Sequence, residues 1–225
     1  MLMIFQQMCG INPLLFFGQR LFKKSGISFL IIPLYVTHLL STVIMCFIVD
    51  KFGRRKLLML GALGMLLCNS LLGVYLQLFI IPNYNEYYKN INLFDEDIRV
   101  LEPFNVKYDP KYSLLAFLCF FLFILCYSIG WGPLPYLFMS ELFPPRLRGL
   151  SCSTVLIVNW VFSLIATASF FIPPLEVDIV TWIFCVFCLI SIFFVYFFVP
   201  ETKDKTLEEI EHYYQMNQQW LNYLF

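Results

Sequence analysis

Six long apolar stretches divide this chain and restrict its fold more than any other feature. A helix needs about 20 predominantly apolar residues to cross the hydrocarbon core of a bilayer. The chain has 225 residues, of which 60% are hydrophobic and 13% charged, whereas a soluble domain has about a quarter charged. We therefore predict an all-α membrane protein with six transmembrane helices. The predicted spans are 1–22, 29–49, 57–81, 114–138, 149–171 and 180–199.

The composition also argues against several functions. The formal net charge is zero, so no nucleic-acid partner is indicated. The eight cysteines lie in apolar stretches or at their ends, which argues against a disulfide framework or an aqueous metal site. Cys185 and Cys188 have the spacing of a redox or metal pair, but small apolar residues in a lipid-embedded helix are the simpler interpretation. We expect no enzyme, no metal site and no cofactor.

Two predicted spans contain residues that break helices. Pro13 lacks an N–H and frees the carbonyl of Cys9, four residues earlier. The fourth span contains Gly130, Gly132, Pro133 and Pro135. In hydrocarbon, freed backbone groups are tolerated only against protein or a water-filled cavity. The two broken helices are therefore candidates for a binding site or a hinge.

Polar side chains inside the spans are the candidate binding groups. Gln6 and Asn12 are too polar to face lipid, so we expect them to point into the bundle. They either bind a ligand there or only hydrogen-bond neighbouring helices. Asn159 and Trp160 lie in the middle of the fifth span, where an amide needs a partner and an indole offers a flat face. Helix packing is a competing interpretation for both.

Four motifs occur in a set order: Gln6-Gln7-x-x-Gly10-Ile11-Asn12, then Asp50-x-x-Gly53-Arg54-Arg55, then Gly130-x-Gly132-Pro133-x-Pro135-Tyr136 followed by Glu141 and Arg148, and finally Pro200-Glu201-Thr202-Lys203. In this order they resemble the C-terminal half of the sugar porters, the glucose-transporter-like branch of the major facilitator superfamily. The resemblance implies a six-helix half-domain at 1–200, with an extracellular loop at 83–111. It also implies a cytoplasmic tail at 201–225, in which we predict a short amphipathic helix.

The resemblance implies passage of a hexose or related sugar by alternating access, in a multi-pass protein of the plasma membrane. The expected partners are the sugar, the lipid bilayer and an N-terminal six-helix half that this sequence lacks. Amides suit a neutral sugar because each offers both a donor and an acceptor. The implied sugar contacts are Gln6, Gln7, Asn12, Gly132, Tyr136 and Asn159, together with His38, Tyr127 and Trp160.

His38 and three other departures leave the substrate open. His38 stands where similar transporters have a sugar-binding Asn. It can bond substrate, add pH sensitivity, or be a neutral histidine that a neighbouring helix satisfies. Tyr136 replaces a Trp, Ser128 replaces a Glu, and 3–5 replace a Gln-Leu-Ser tripeptide.

Charged residues cluster near three predicted helix ends, and residues 50–56 are predicted to form a tight turn between the second and third spans. The resemblance implies an ion-pair latch at the cytoplasmic mouth, whereas the simpler interpretation of the basic cluster is a positive-inside anchor. The implied latch residues are Asp50, Arg54, Arg55, Glu141 and Arg148.

Two other functions remain open at this stage, namely a membrane sugar sensor that does not transport and an inactive truncated product. Met1 precedes Gln6 by only five residues, whereas the helix it resembles extends further upstream. We therefore expect a fragment that cannot transport alone.

Overall fold

The computed structural model describes residues 1–80, 110–143, 148–169, 177–203 and 209, and nearly all of them are helical. The predicted loop lies outside the described residues except for 110 and 111, which begin a helix. The predicted amphipathic helix of the tail also lies outside them, except for residue 209, which is helical. The helices are α1 (Leu2–Met8), α2 (Ile11–Lys24), a 3-10 turn (Ser28–Leu30), α3 (Ile31–Phe52), α4 (Arg54–Tyr75) with a π-helical turn (Leu76–Ile80), α5 (Pro110–Ile129), α6 (Leu134–Leu142), α7 (Arg148–Ser169) and α8 (Val177–Phe198).

Five segments of the described chain are long and apolar enough to cross a membrane: Ser28–Met45, Arg54–Phe79, Ser113–Glu141, Arg148–Ser169 and Asp178–Phe198. The first predicted span instead forms two shorter helices, α1 and α2. They meet at Gly10, whose φ of +90° is a left-handed conformation that glycine adopts without strain. Because of this break, neither helix alone has the length of a membrane span.

α4 lies at the centre of the bundle, with its most extensive contacts to α8 and α5. Glycine permits the close approach to α5. A Cβ on Gly61 would lie 2.9 Å from the Cys126 carbonyl oxygen, and one on Gly130 would lie 2.6 Å from the Leu57 carbonyl oxygen. The backbones can meet this closely only because both positions lack a side chain.

α3 and α7 lie at the periphery and turn large apolar side chains outward. Phe47 on α3 is 75% exposed and Leu164 on α7 is 71% exposed. Such faces are suited to lipid or to another protein surface within the membrane. The amides described below are therefore carried by a bundle with an apolar exterior.

The turn between α3 and α4 is shorter than the seven-residue turn predicted at 50–56. Residues 50–52 continue α3, and α4 begins at Arg54, so Gly53 alone makes the turn with φ +84°. A glycine in this conformation reverses the chain in one residue. The basic residues consequently begin α4 instead of forming a loop.

Candidate functional site

The first helix break is held from two sides. Asn69, fully buried on α4, donates its side-chain N–H to the Cys9 carbonyl at 3.1 Å. The Phe184 ring of α8 packs against Gly10 so closely that a Cβ there would lie 2.3 Å from a ring carbon. The carbonyl that Pro13 frees thus has a donor from α4, as a broken helix in hydrocarbon requires.

The second helix break receives its hydrogen bonds from the first. Gln6 donates to the carbonyls of Trp131 and Gly132 at 2.8 and 3.0 Å. The Trp131 indole in turn donates to the Leu58 carbonyl on α4 at 3.0 Å. The segment between α5 and α6 is therefore fixed by α1 on one side and α4 on the other.

A chain of side-chain amides continues from this point to α7. Gln7 donates to the Asn159 oxygen at 3.0 Å. Asn12 donates to the Gln7 oxygen at 2.9 Å and to the Ser163 hydroxyl at 2.8 Å. Asn159 donates to the Tyr136 hydroxyl at 3.5 Å. We call Gln6, Gln7, Asn12, Asn159, Ser163 and Tyr136 the amide network.

The amide network runs from the buried interior to the surface of this bundle. Gln6 and Asn159 are each 1% exposed, whereas Tyr136 is 40% exposed. Every amide in it has both a donor and an acceptor, so a neutral polyol could replace one internal bond with an equivalent one. The network carries no ionised group, and it therefore suits an uncharged polar ligand.

The other predicted contacts lie around this network at different depths. The Tyr127 ring is 3.4 Å from where a Cβ on Gly132 would be. The His38 ring nitrogen Nδ1 lies 2.9 Å from the Ser128 hydroxyl, and its ring centre is 5.9 Å from that of Tyr127. His38 thus has a partner on a neighbouring helix and also borders the site. Trp160 is 66% exposed on α7.

Charged side chains meet at the Arg54 end of the bundle. The Arg54 guanidinium and the Glu141 carboxylate form an ion pair at 3.0 Å between α4 and α6. The Glu201 carboxylate accepts the backbone N–H groups of Arg54 and Arg55 at 2.9 and 3.3 Å. It thereby caps the N-terminus of α4, where an anion is favoured.

The two remaining arginines of the predicted latch bond to the main chain. Arg55 donates to the Tyr196 carbonyl and lies over that ring, 5.5 Å from its centre. Arg148 donates to the Phe143 carbonyl at 3.4 Å. A pairing of Arg148 with Glu141 is therefore not the arrangement in this structure. The side chain of Asp50 lies outside what the structure describes.

Four residues of the site were not among the predicted contacts: Asn69, Trp131, Ser163 and Glu201. Asn69 is an amide inside an apolar span, and the argument that selected Gln6 applies to it equally. Ser163 lies one helical turn after Asn159, on the same face. Glu201 belongs to a quoted motif, but nothing in the sequence pairs it with the start of α4.

A multi-helix bundle with apolar faces and two broken helices joined by amides is the architecture of an integral membrane protein of the transporter class. The family model for sugar (and other) transporters matches residues 1–214. This chain belongs to that family.

Two curated relatives are sugar transporters that are much longer than this chain. A facilitated trehalose transporter of Bombyx mori is 33% identical over 216 residues, which cover 93% of this chain and 38% of that protein. A mouse solute carrier family 2 facilitated glucose transporter, member 8, is 29% identical over 220 residues, which cover 95% of this chain and 44% of that protein. The chain thus spans about two-fifths of their length.

Solved structures have the same fold over nearly all of this chain. The proton:xylose symporter XylE bound to 6-bromo-6-deoxy-D-glucose matches with a TM-score of 0.70 and 26% identity, over 94% of this chain and 41% of that one. The inward-open form of the xylose transporter XylE from E. coli matches with a TM-score of 0.67 and 28% identity, over 94% and 40%.

Proposed function

We propose that the chain is the C-terminal six-helix half of a sugar porter, and that a hexose or related sugar binds at the amide network. In this proposal α1 and α2 together make the first of six membrane segments, residues 1–200 form the half-domain, and 201–225 form a cytoplasmic tail. The observation that carries it is the set of hydrogen bonds from Gln6 and Gln7, which join both helix breaks to α7. The named relatives are transporters of sugars.

The network explains how sugar binding is both specific and reversible. The Asn12 N–H already donates to the Gln7 oxygen, so a sugar hydroxyl exchanges one hydrogen bond for another. Because an internal bond is given up, each exchange contributes at most about 0.5–1.5 kcal/mol, the net value of one hydrogen bond. Several such exchanges select a polyol, while their modest sum lets the sugar leave on the other side of the membrane.

The charged end supplies the proposed latch. Arg54, Glu141 and Glu201 join the start of α4 to α6 and to the segment after α8. We propose that alternating access changes the packing of these helix ends within the half-domain, in addition to rocking the half-domain against a partner half. We propose that the ion pair favours the outward-open state, with Asp50 and Arg148 as further members of the latch. The plasma membrane is the proposed location.

A chimera tests the proposed function. Residues 1–225 replace the matching part of the Bombyx mori trehalose transporter, and uptake of radiolabelled trehalose and glucose is measured in vesicles. We expect saturable uptake from the chimera and none from residues 1–225 alone. Gln7→Leu should lower uptake at low sugar concentration. Ser70→Ala is the control, because the Ser70 hydroxyl bonds to the Leu66 carbonyl and the Cys185 sulfur, which lie outside the amide network.

Two results would contradict the proposal. Saturable uptake by residues 1–225 alone, from a verified single species, would show that the chain is not half of a transporter. A folded chimera that binds sugar and never moves it would favour the sensor interpretation.

A further inference from the structure

One side of α2 continues beyond the amide network and carries side chains that the bundle does not bury. It holds Asn12, Phe16, Gln19 and Lys23, whose spacings of three and four residues place them on the same face of the helix. Phe16 is 48% exposed, Gln19 is partly exposed and Lys23 is exposed, whereas Leu21, on the opposite side of α2, is buried. The part of this face beyond Asn12 therefore has no partner within the described bundle that covers it.

This face is too polar to lie against lipid. An amide and an ammonium group are costly in hydrocarbon, so such residues in a membrane protein face the bundle interior or a water-filled cavity. Asn12 already belongs to the amide network. The same face thus carries polar side chains from the network to Lys23, next to the last residue of α2, and extends the polar surface on which we propose that sugar binds.

α3 contributes a side chain to the same part of the surface. Gln19 donates its side-chain N–H to the Tyr35 hydroxyl. Tyr35 is 40% exposed and lies one turn before His38, toward the end of α3 that is away from Arg54. The Gln19–Tyr35 pair therefore lies beyond the amide network, on the side opposite the charged end of the bundle.

We propose that Phe16, Gln19 and Tyr35 form an outer subsite for the second ring of a disaccharide whose first ring occupies the amide network, an inference that rests on the proposed function. Gln19 follows Asn12 by seven residues, which is about 10 Å along the helix, a distance that the second pyranose ring of a disaccharide spans. Phe16, between them, offers an aromatic surface for the apolar C–H face of a sugar ring. Gln19 and Tyr35 have donors and acceptors beyond their own bond, and these suit sugar hydroxyls.

The ratio of the affinities for a disaccharide and a monosaccharide tests the outer subsite. Equilibrium binding of radiolabelled trehalose and glucose is measured for the chimera, Gln19→Leu and Tyr35→Phe. Trehalose consists of two linked glucose rings, so the two probes differ by the second ring. We expect each variant to lower the trehalose-to-glucose affinity ratio about threefold to tenfold, the equivalent of one lost hydrogen bond. Gln7→Leu should weaken the binding of both sugars.

Thr37→Val is the matched control, because Thr37 lies on another side of α3 from Tyr35 and its hydroxyl bonds to the Pro33 carbonyl of its own helix. It should leave the affinity ratio unchanged. If the chimera binds both sugars and the ratio is the same in Gln19→Leu and Tyr35→Phe as in the unaltered protein, the outer subsite is overturned. If the unaltered chimera binds neither sugar, the proposed function itself is contradicted, and the subsite with it.

Discussion

The two helix breaks differ in the hydrogen-bonding groups that they present to the rest of the bundle. At the Gly10 break, the freed Cys9 carbonyl accepts a hydrogen bond from Asn69 of α4, and the side-chain amide of Gln7 donates one to α7. The break between α5 and α6 offers no side-chain amide and instead presents two carbonyls, which Gln6 satisfies. One break therefore acts as the donor and the other as the acceptor.

This difference assigns separate roles to neighbouring glutamines. Gln6 is committed to the Trp131 and Gly132 carbonyls, to which no backbone N–H in the described part of the chain donates. Gln7 bonds to other side-chain amides, which can rotate to accept a new partner. We therefore expect Gln6 to matter chiefly for the integrity of the bundle, and Gln7 chiefly for ligand binding.

The largest loss of stability should come from adding a methyl group at Gly130, where the break between α5 and α6 begins. In Gly130→Ala the new Cβ would lie 2.6 Å from the Leu57 carbonyl oxygen, and neither backbone can yield easily. We expect a loss of about 3 kcal/mol in the free energy of unfolding, the upper end for overpacking. Denaturant unfolding in detergent measures it. Gly149→Ala, with nothing within 4 Å of the new methyl group, should not destabilise the chain.

Removing the Gln6 amide, which links the two helix breaks, should cause the second-largest loss of stability. Gln6→Leu strands the carbonyls of Trp131 and Gly132 in a low-dielectric interior, at a cost of about 2 kcal/mol. The same unfolding measurement applies. Gln19→Leu is the control, because Gln19 makes an exposed bond to Tyr35, and it should change stability by less than about 0.5 kcal/mol. Equal losses in the two variants would contradict the assigned role of Gln6.

Asn69 supports the Gly10 break and should contribute less to stability than Gln6 does. Asn69→Leu removes the bond to Cys9 but also removes a buried Asn69 oxygen that has no partner, so we expect a loss of about 1 kcal/mol. Asn69→Asp keeps the shape and places an acceptor against the Cys9 carbonyl, so it should be worse. Thermal unfolding of both variants tests this order, and the reverse order would refute it.

The charged end should give the smallest effect on stability. Glu141→Gln weakens a partly exposed ion pair, worth about 0–1 kcal/mol. Glu201→Gln removes the negative charge at the start of α4, which contributes about 0.3–1 kcal/mol to stability. Stability measurements at low and high salt should show both losses shrinking with salt.

In the chimera, Glu141→Gln should shift the population toward the inward-open state, as reported by accessibility labelling, and an unchanged population would refute the latch.

The sequence predicted local features of this fold well and distant ones poorly. Apolar length predicted the helices, and Pro13 predicted a freed Cys9 carbonyl. The donor to that carbonyl, Asn69, is 60 residues away, and only tertiary packing determines which helix supplies it. The pairing of Gln6 with Trp131, 125 residues apart, is equally invisible to local patterns.

The turn at Gly53 shows a different limit. Charge and glycine content predicted a turn at 50–56, but residues 50–52 continue α3 because their side chains tolerate a helical backbone. The predicted latch left Arg54, Arg55 and Arg148 as alternative partners of Glu141, of which Arg54 forms the ion pair and Arg148 bonds to the Phe143 carbonyl. Long charged side chains can reach several partners, so sequence position alone does not determine their pairing.

Sugar affinity in the chimera tests the central claim that the amide network is the sugar site. Equilibrium binding of radiolabelled glucose should be measured for the unaltered chimera, Gln7→Leu and the control Ser70→Ala. We expect Gln7→Leu to weaken binding about threefold to tenfold, the equivalent of one lost hydrogen bond, while the control binds as the unaltered chimera does. Equal affinity in all three folded proteins would contradict it.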